Sequence, residues 1–151
     1  LGIPQFLPSS IRNWGVDFDG NGQVDLTASA ADAIGSVANF LASHGWETGS
    51  PIAVPASVTG DRFVELVAAG ILPRLMPAEM ADYGVVAAVD APQMPCARID
   101  LVTPNEATEY WLGYRNFYVI TRYNRSSFYA MTVFALSREL KAGREARLAT
   151  R

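Results

Sequence analysis

Residues 17–25 read Asp-Phe-Asp-Gly-Asn-Gly-Gln-Val-Asp, a stretch too rich in acid and glycine for a regular helix or strand. An EF-hand calcium loop needs oxygen ligands at positions 1, 3 and 5, glycine at 6, a backbone carbonyl at 7 and an apolar residue at 8. These positions are filled in order by Asp17, Asp19, Asn21, Gly22, Gln23 and Val24. The pattern predicts a Ca2+ site, and the alternative is a metal-free turn that Asp and Asn side chains cap.

The twelfth position of this loop departs from the EF-hand pattern. It usually supplies a bidentate Glu, but here it is Ala28, so a later carboxylate must take that role. Asp32 is the candidate, because it falls in the first turn of the next predicted helix and could fold back over the loop. Ser29 and Asp32 resemble a capping box, and His44-Gly45 is a helix stop. We expect a helix over residues 30–44, with an apolar face made by Ile34, Val37, Ala38 and Leu41.

The sequence patterns on the two sides of this helix predict different secondary structures. Before the loop, Pro8-Ser9-Ser10 offers an N-cap for a short helical stretch over 11–14. After the helix, residues 49–112 carry short β-branched runs between turn residues, which predict a small antiparallel sheet. Its strands are expected at 52–54, 85–89, 97–102 and 108–112, with a hairpin turn at 103–107 and one short helix at 61–69.

Helical spacing returns near the end of the chain, over 117–123 and from 126 to about 148. The predicted fold class is therefore α+β: a mainly helical domain with a calcium loop and a small antiparallel β insertion. We expect a helical part with the calcium loop at 1–48, the β insertion at 49–112, and C-terminal helices at 113–151 that return to the helical domain.

Composition excludes several classes of protein. Half of the 151 residues are hydrophobic, which is enough for one real core. The formal net charge of −3 argues against a nucleic-acid partner, because phosphate backbones are bound by basic surfaces. No apolar run is long enough to span a bilayer, and the single Cys96 rules out an internal disulfide framework.

Residues 116–124 read Asn-Phe-Tyr-Val-Ile-Thr-Arg-Tyr-Asn, and a further tyrosine follows at Tyr129. Interleaved aromatic and amide side chains suit sugar rings, whose C–H faces stack on aromatics while their hydroxyl and N-acetyl groups pair with amides. The alternative is a core helix, because Phe117, Tyr118 and Ile120 recur at helical spacing. Only part of this stretch can therefore face a ligand.

Five motifs in order carry a resemblance to a known family. They are residues 5–10 (Gln-Phe-Leu-Pro-Ser-Ser), 16–22, 32–40, 44–46 (His-Gly-Trp) and 116–124. Together they closely resemble the membrane-bound lytic murein transglycosylase B family, most densely at the two ends of the chain. The resemblance implies a lysozyme-like helical domain with an EF-hand-type calcium site. It also implies cleavage of the MurNAc–GlcNAc β-1,4 bond of peptidoglycan with formation of 1,6-anhydro-MurNAc.

The resemblance also assigns roles by position. The substrate-binding residues it implies are Gln5, Tyr123, Asn124 and Tyr129, and the calcium ligands are Asp17, Asp19, Asn21, Gln23 and Asp32. This chain departs from the family in two places. Asn21 replaces a more usual Asp, which removes a charge from the calcium site, and Phe40 stands where relatives can have Tyr.

The catalytic Glu of the family lies upstream of the Gln-Phe-x-Pro-Ser motif, so we expect no catalytic residue in this chain and no activity from the chain alone. A general acid needs a raised pKa in a partly apolar pocket. No such setting is predicted for any glutamate here: Glu47, Glu65, Glu79, Glu106, Glu109, Glu139 or Glu145. The motif starts close to Leu1, so we also expect upstream residues, with any lipid anchor among them.

The family further implies a periplasmic protein, outer-membrane-anchored if the upstream part carries a lipid. Its partners would be peptidoglycan glycan strands and proteins of cell-wall synthesis or division. Two other functions stay open from the sequence. One is a non-catalytic, calcium-stabilised glycan-binding module, and the other is an unrelated EF-hand interaction module that does not bind peptidoglycan.

Overall fold

The computed structural model describes residues 2–150. Its backbone contacts divide the chain between Glu47 and Thr48 into two compact units. Helices make up the regular structure of the first unit, whereas the second unit contains one four-stranded antiparallel sheet and several helices. The mixture of helices with one small antiparallel sheet confirms the predicted α+β class.

The first unit begins with helix α1, Pro8–Trp14. The sequence predicted this helix only from Ile11, with Pro8-Ser9-Ser10 as its N-cap. The N-cap is instead Leu7, and Pro8 occupies the first helical position. Proline is favoured there because its fixed φ suits a helix and its missing N–H would have had no partner. The helix is therefore three residues longer than predicted.

Helix α2, Ala30–Ser43, begins at the predicted residue and ends one residue earlier than predicted, with His44 as its C-cap. The Ser29 hydroxyl accepts a hydrogen bond from the Asp32 N–H (3.2 Å), and Gly45 follows the helix with φ +89°. Its buried face was predicted wrongly, since Ile34 is 69% exposed. The buried residues of α2 are Asp32, Ala33, Gly35, Ser36 and Phe40. Two of them, Asp32 and Ser36, are polar. Their side chains are buried because they bind N–H groups of the preceding loop.

Those buried polar groups attach the loop over 16–25 to α2. The Asp32 carboxylate accepts three backbone N–H groups, from Phe18 (2.8 Å), Asp19 (3.3 Å) and Asp25 (2.9 Å). One turn later, the Ser36 hydroxyl accepts the N–H of Val16 (2.9 Å). Gly35 lies between them on this face, and a side chain there would meet the Phe18 ring at 2.6 Å. The loop therefore packs directly on the helix backbone.

The sheet of the second unit consists of β1 Ala53–Val58, β2 Val85–Ala87, β3 Ala97–Leu101 and β4 Glu109–Gly113, in the order β2-β1-β4-β3. The predicted β3–β4 hairpin is confirmed, with Asn105 at φ +65° in its turn. The first strand was predicted over 52–54, but it extends to Val58. It continues through Pro55, whose carbonyl accepts the Ala88 N–H (2.9 Å).

Helical segments of this unit lie between the first and second strands and after the last strand. The segment predicted as a helix over 61–69 is a 3-10 helix, Arg62–Ala69. It is followed by α3, Pro77–Ala81, which the sequence did not predict because five residues are too few to show helical spacing. The core against the sheet contains Leu66, Met80, Val85, Cys96, Leu112 and Tyr114.

The chain ends in α4, Arg115–Tyr123, and α5, Ser127–Ala149. On α4, Asn116 is fully buried and its amide donates to the Ser50 carbonyl (3.1 Å), while Phe117 is also fully buried. These contacts hold one face of α4 inside the unit, as the alternative interpretation of residues 116–124 required. In the stretch from residue 2 to residue 150, no helix has the length and apolar composition needed to cross a membrane.

We predict that Cys96 is chemically silent in the folded protein. Its side chain is fully buried, its thiol donates to the Leu75 carbonyl (3.3 Å), and burial raises its pKa to about 11. The thiol is therefore protonated at pH 8 and reacts negligibly with a thiolate-specific disulfide reagent until urea unfolds the chain. Rapid labelling of the native protein at pH 8 would contradict this packing.

The same raised pKa sets a direction for stability at high pH. The neutral thiol contributes fully below the ordinary pKa of 9.0, and this contribution is lost as the pH rises from there through about 11. Urea unfolding across this interval should show a decline that is smaller in Cys96→Ala.

Candidate functional site

Three carboxylates of the first unit lie close together. Asp17, Asp19 and Asp32 each offer an oxygen, and these oxygens all lie within 4.8 Å of one another. Asp32 is buried, Asp17 is half-buried and Asp19 is exposed. Negative charges this close repel one another unless a cation or hydrogen-bond donors compensate them. The cluster contains all three of the carboxylates that the sequence assigned to calcium.

The loop between these residues is shaped by its own side chains. The Asp17 carboxylate accepts hydrogen bonds from the N–H groups of Gly20 (2.8 Å) and Gly22 (2.7 Å). The side-chain oxygen of Asn21 accepts one from the N–H of Gln23 (3.0 Å). Gly22, the sixth loop position, has φ +90°, which only glycine adopts at low cost. The side chain of Gln23 is exposed, so any ligand atom from this residue would be its backbone carbonyl, as position 7 requires.

Two further residues support the loop, and the sequence analysis assigned neither of them a role at the carboxylate cluster. The Ser29 hydroxyl donates to the Asp19 carboxylate (2.9 Å) while it also caps α2. The Asp25 carboxylate accepts the N–H groups of Thr27 (2.8 Å) and Ala28 (2.9 Å). Asp25 therefore closes the turn in the region where an EF-hand would place its final Glu. The capping pattern of Ser29 was visible in the sequence, but its bond to Asp19 depends on the folded loop.

Asp32 is held in its charged form. Its pKa is lowered from the ordinary 3.8, first by the hydrogen bond from the Asp25 N–H, while burial opposes that shift. The N–H groups of Phe18 and Asp19 lower it further. A cluster with only oxygen donors, and with no His or Cys, has the chemistry of a site for a hard cation such as Ca2+.

A second group of predicted residues lies where α4 ends and α5 begins. The rings of Tyr123 and Tyr129 are nearly parallel, with centroids 6.0 Å apart and an interplanar angle of 12°. Both are half-buried, and burial raises the pKa of Tyr129, with a smaller contribution from Tyr123. The two rings therefore lie against each other where α4 ends and α5 begins.

Asn124 connects the two tyrosines. Its carbonyl oxygen accepts the Ser126 N–H (3.1 Å), and the Ser126 hydroxyl in turn accepts the Tyr129 N–H (3.2 Å) as the N-cap of α5. The Asn124 side chain is exposed, and its amide nitrogen donates no hydrogen bond within residues 2–150. This amide is therefore available to a ligand that contacts the tyrosines.

Gln5 belongs to the first unit, whereas the tyrosines and Asn124 belong to the second. Gln5 is exposed, and its amide donates to the Gly2 carbonyl (3.2 Å). Phe40, the departure from the family noted above, is buried against the ring of His44 with a centroid distance of 4.0 Å. A Phe at this position therefore fills the core of the first unit.

The glutamates all have the same setting in the described residues. All seven are exposed, namely Glu47, Glu65, Glu79, Glu106, Glu109, Glu139 and Glu145. A carboxylic acid that donates a proton to a glycosidic oxygen near neutral pH needs a desolvated pocket. In residues 2–150, none of the glutamates has one.

The chain was compared with known proteins. The sequence model of the transglycosylase SLT domain family matches residues 1–138. The membrane-bound lytic murein transglycosylase B of Escherichia coli (strain K12) is 37% identical over 95% of this chain, which covers 38% of that protein. The crystal structure of the soluble lytic transglycosylase SltB1 of Pseudomonas aeruginosa superposes on this chain with a TM-score of 0.83 at 39% identity. The match covers 96% of this chain and 48% of the SltB1 chain.

A second solved structure is that of the Escherichia coli lytic transglycosylase Slt35 in complex with calcium. It superposes on this chain with a TM-score of 0.76 at 34% identity. The match covers 95% of this chain and 45% of the Slt35 chain. These similarities confirm the lysozyme-like fold that the sequence predicted, and the chain spans less than half the length of these relatives. The extent of the domain match and the identity to the Escherichia coli protein establish that this chain belongs to the family of lytic murein transglycosylases with a transglycosylase SLT domain.

Proposed function

We propose that this chain is part of a periplasmic lytic transglycosylase that cleaves the MurNAc–GlcNAc β-1,4 bond of peptidoglycan and leaves a 1,6-anhydro-MurNAc end. The observation that carries the proposal is the family match over residues 1–138, which includes the Tyr123–Asn124–Tyr129 group. In this proposal Gln5 of the first unit and that group of the second unit are substrate-binding residues. The similarity of the whole chain to lytic transglycosylases supports the reaction class.

The residues of this chain would bind and orient the sugar. An aromatic pair can contact the C–H faces of the sugar ring, while the Asn124 amide can donate to an N-acetyl or hydroxyl oxygen. The general acid comes from the remainder of the parent protein. It protonates the glycosidic oxygen and then accepts the proton of the C6 hydroxyl as that oxygen closes onto C1, so no water is consumed.

The Asp17–Asp19–Asp32 cluster is proposed to bind one structural Ca2+, with Asn21 and the Gln23 carbonyl as further ligands. Support comes from the proximity of the three carboxylates and from the calcium complex of Slt35. The ion would relieve repulsion among the carboxylates and hold the loop on α2. Its role would be stabilisation of the fold rather than chemistry on the sugar.

The location in the periplasm and the partners belong to the same proposal. The partners would be peptidoglycan glycan strands and proteins of wall synthesis or division, and an outer-membrane lipid anchor would lie elsewhere in the parent protein. The name of the Escherichia coli relative, a membrane-bound transglycosylase, supports attachment. The second candidate function is a non-catalytic, calcium-stabilised glycan-binding module, which the exposure of every glutamate favours.

Calcium is expected to stabilise the chain. An ion that binds only the folded state, at a concentration 100 times its Kd, adds about 2.7 kcal/mol to the free energy of unfolding and raises Tm. Calorimetry with calcium and with chelator measures this shift. Asp17→Asn should abolish the shift, whereas Asp61→Asn, which neutralises an exposed carboxylate of the second unit, should preserve it. A calcium-induced shift that survives Asp17→Asn would show that the ligands are wrong.

In the intact parent enzyme, Gln5→Ala and Asn124→Ala are expected to lower kcat on purified peptidoglycan, because a displaced sugar can cost on the order of a hundredfold in rate. Both side chains are exposed, so circular dichroism and Tm should stay close to wild type. Gln93→Ala removes another exposed amide and serves as the matched control. Wild-type rates in both groove variants would refute the assignment of these residues.

The 151-residue chain alone, with calcium, is expected to release no 1,6-anhydro-muropeptides from peptidoglycan, as judged by mass spectrometry. The reason is that no glutamate among its described residues has the setting of a general acid. Release of such products would mean that one of these glutamates is the acid, and single Glu→Gln variants would identify it. An inactive parent protein that still binds glycan would favour the binding module instead.

A further inference from the structure

The sequence around the second site has an unusual balance of charge. From Tyr110 to Arg138 there is no Asp or Glu, although the whole chain is acidic with a formal net charge of −3. The same stretch carries four arginines: Arg115, Arg122, Arg125 and Arg138. The helices that present Tyr123, Asn124 and Tyr129 therefore carry a local positive charge that favours an anionic ligand.

The Arg122 side chain contacts both a ring and neighbouring polar groups. Its guanidinium carbon lies 4.0 Å from the centroid of the Tyr118 ring. One terminal nitrogen donates to the Thr121 hydroxyl (2.9 Å), and Nε donates to the Tyr118 carbonyl (3.4 Å). The Thr121 hydroxyl is itself fixed, since it donates to the same carbonyl (2.6 Å) and is fully buried. The guanidinium is therefore held in one orientation.

Arg122 also lacks an acidic partner in the described part of the chain. Arg122 takes part in no ion pair within residues 2–150. Its second terminal nitrogen, Nη1, donates no hydrogen bond there. A half-buried guanidinium with this much unused donor capacity is placed to bind an external anion.

The surroundings of Arg122 extend this positive surface along α4. Arg115 lies over the other end of the same helical face, with its guanidinium carbon 5.8 Å from the Tyr118 ring centroid. Tyr123 directly follows Arg122, about 100° further around the helix. The proposed contacts with the anion and with the sugar therefore come from consecutive residues of one helix.

We propose that Arg122 binds a carboxylate of the peptide attached to the muramyl sugar, and so makes the site selective for glycan strands that carry peptides with free carboxylates. This inference rests on the proposed function. Charge complementarity carries it, because the disaccharide backbone of a peptide-substituted strand is neutral and the negative charge lies on the peptide. A planar guanidinium held in one orientation matches a carboxylate, which it can bind through two parallel hydrogen bonds.

A structural role for Arg122 would have a different signature. As a cation in the last turn of α4 it could simply interact with the helix dipole, and its loss would then lower Tm without changing ligand preference. The two roles are separated by measuring the affinity for ligands that differ only in their carboxylates.

The experiment measures Kd of the 151-residue chain by titration calorimetry with two probes. The first is GlcNAc-MurNAc-L-Ala-D-Glu with free carboxylates, and the second is its diamide. The wild type should bind the acid roughly tenfold more tightly than the diamide, a factor typical of one charge-assisted contact. Arg122→Gln should remove this preference and leave the affinity for the diamide unchanged. Arg122→Lys, which keeps the charge but not the planar fork, should retain part of it.

Arg138→Gln is the matched control, because it removes the same charge from the same acid-free stretch, where the guanidinium also lies over a ring (Phe134, 5.6 Å). It should keep the wild-type preference. The inference is overturned if Arg122→Gln retains the preference, or if Arg138→Gln loses it equally. Binding that depends on Arg122 only with phosphatidylglycerol vesicles would also overturn it. Absence of binding by both probes would refute the proposed sugar site as well, which separates the two failures.

Discussion

The buried carboxylate of Asp32 is the interaction on which the first unit depends. A charge removed from water must be compensated, and here three loop N–H groups provide that compensation. In return the carboxylate fixes where the loop begins and ends on α2, which brings Asp17 and Asp19 into the same cluster. The architecture of the loop and the proposed metal site therefore share one cause, and neither can be altered without the other.

In the second unit, α4 connects the sheet to the proposed ligand surface. Its inner face is fixed by Asn116 and Phe117, which bind the backbone and pack beneath the strands. Its outer face carries Tyr118 and Arg122, and its last residue is Tyr123. Because one short helix supplies both faces, burial of the inner side chains determines the orientation of the outer ones. The proposed contacts of Tyr123 and Arg122 with a ligand would thus depend on the packing of the inner face of α4.

Local patterns in the sequence predicted much of this structure. The start of α2, its end to within one residue and the β3–β4 hairpin depend on residues close in the chain, so their spacing was informative. The burial of Asp32 in place of Ile34 was missed, because it depends on loop groups up to 14 residues away. The acid-free stretch was visible in the sequence, but the absence of a partner for Arg122 required coordinates.

Helix α5 has a consequence for the local dynamics of the protein. It is 23 residues long, but its buried residues are Ala130 and Met131, near its start, and residues 135–149 are exposed on every side. One ion pair, Lys141–Glu145 at 4.0 Å, spans those outer turns. A helical segment without tertiary contacts is only marginally stable in water, so its hydrogen bonds open at little cost. Amide hydrogens along α5 should therefore exchange with solvent in a gradient, slowly beside the tyrosine pair and rapidly toward its outer end.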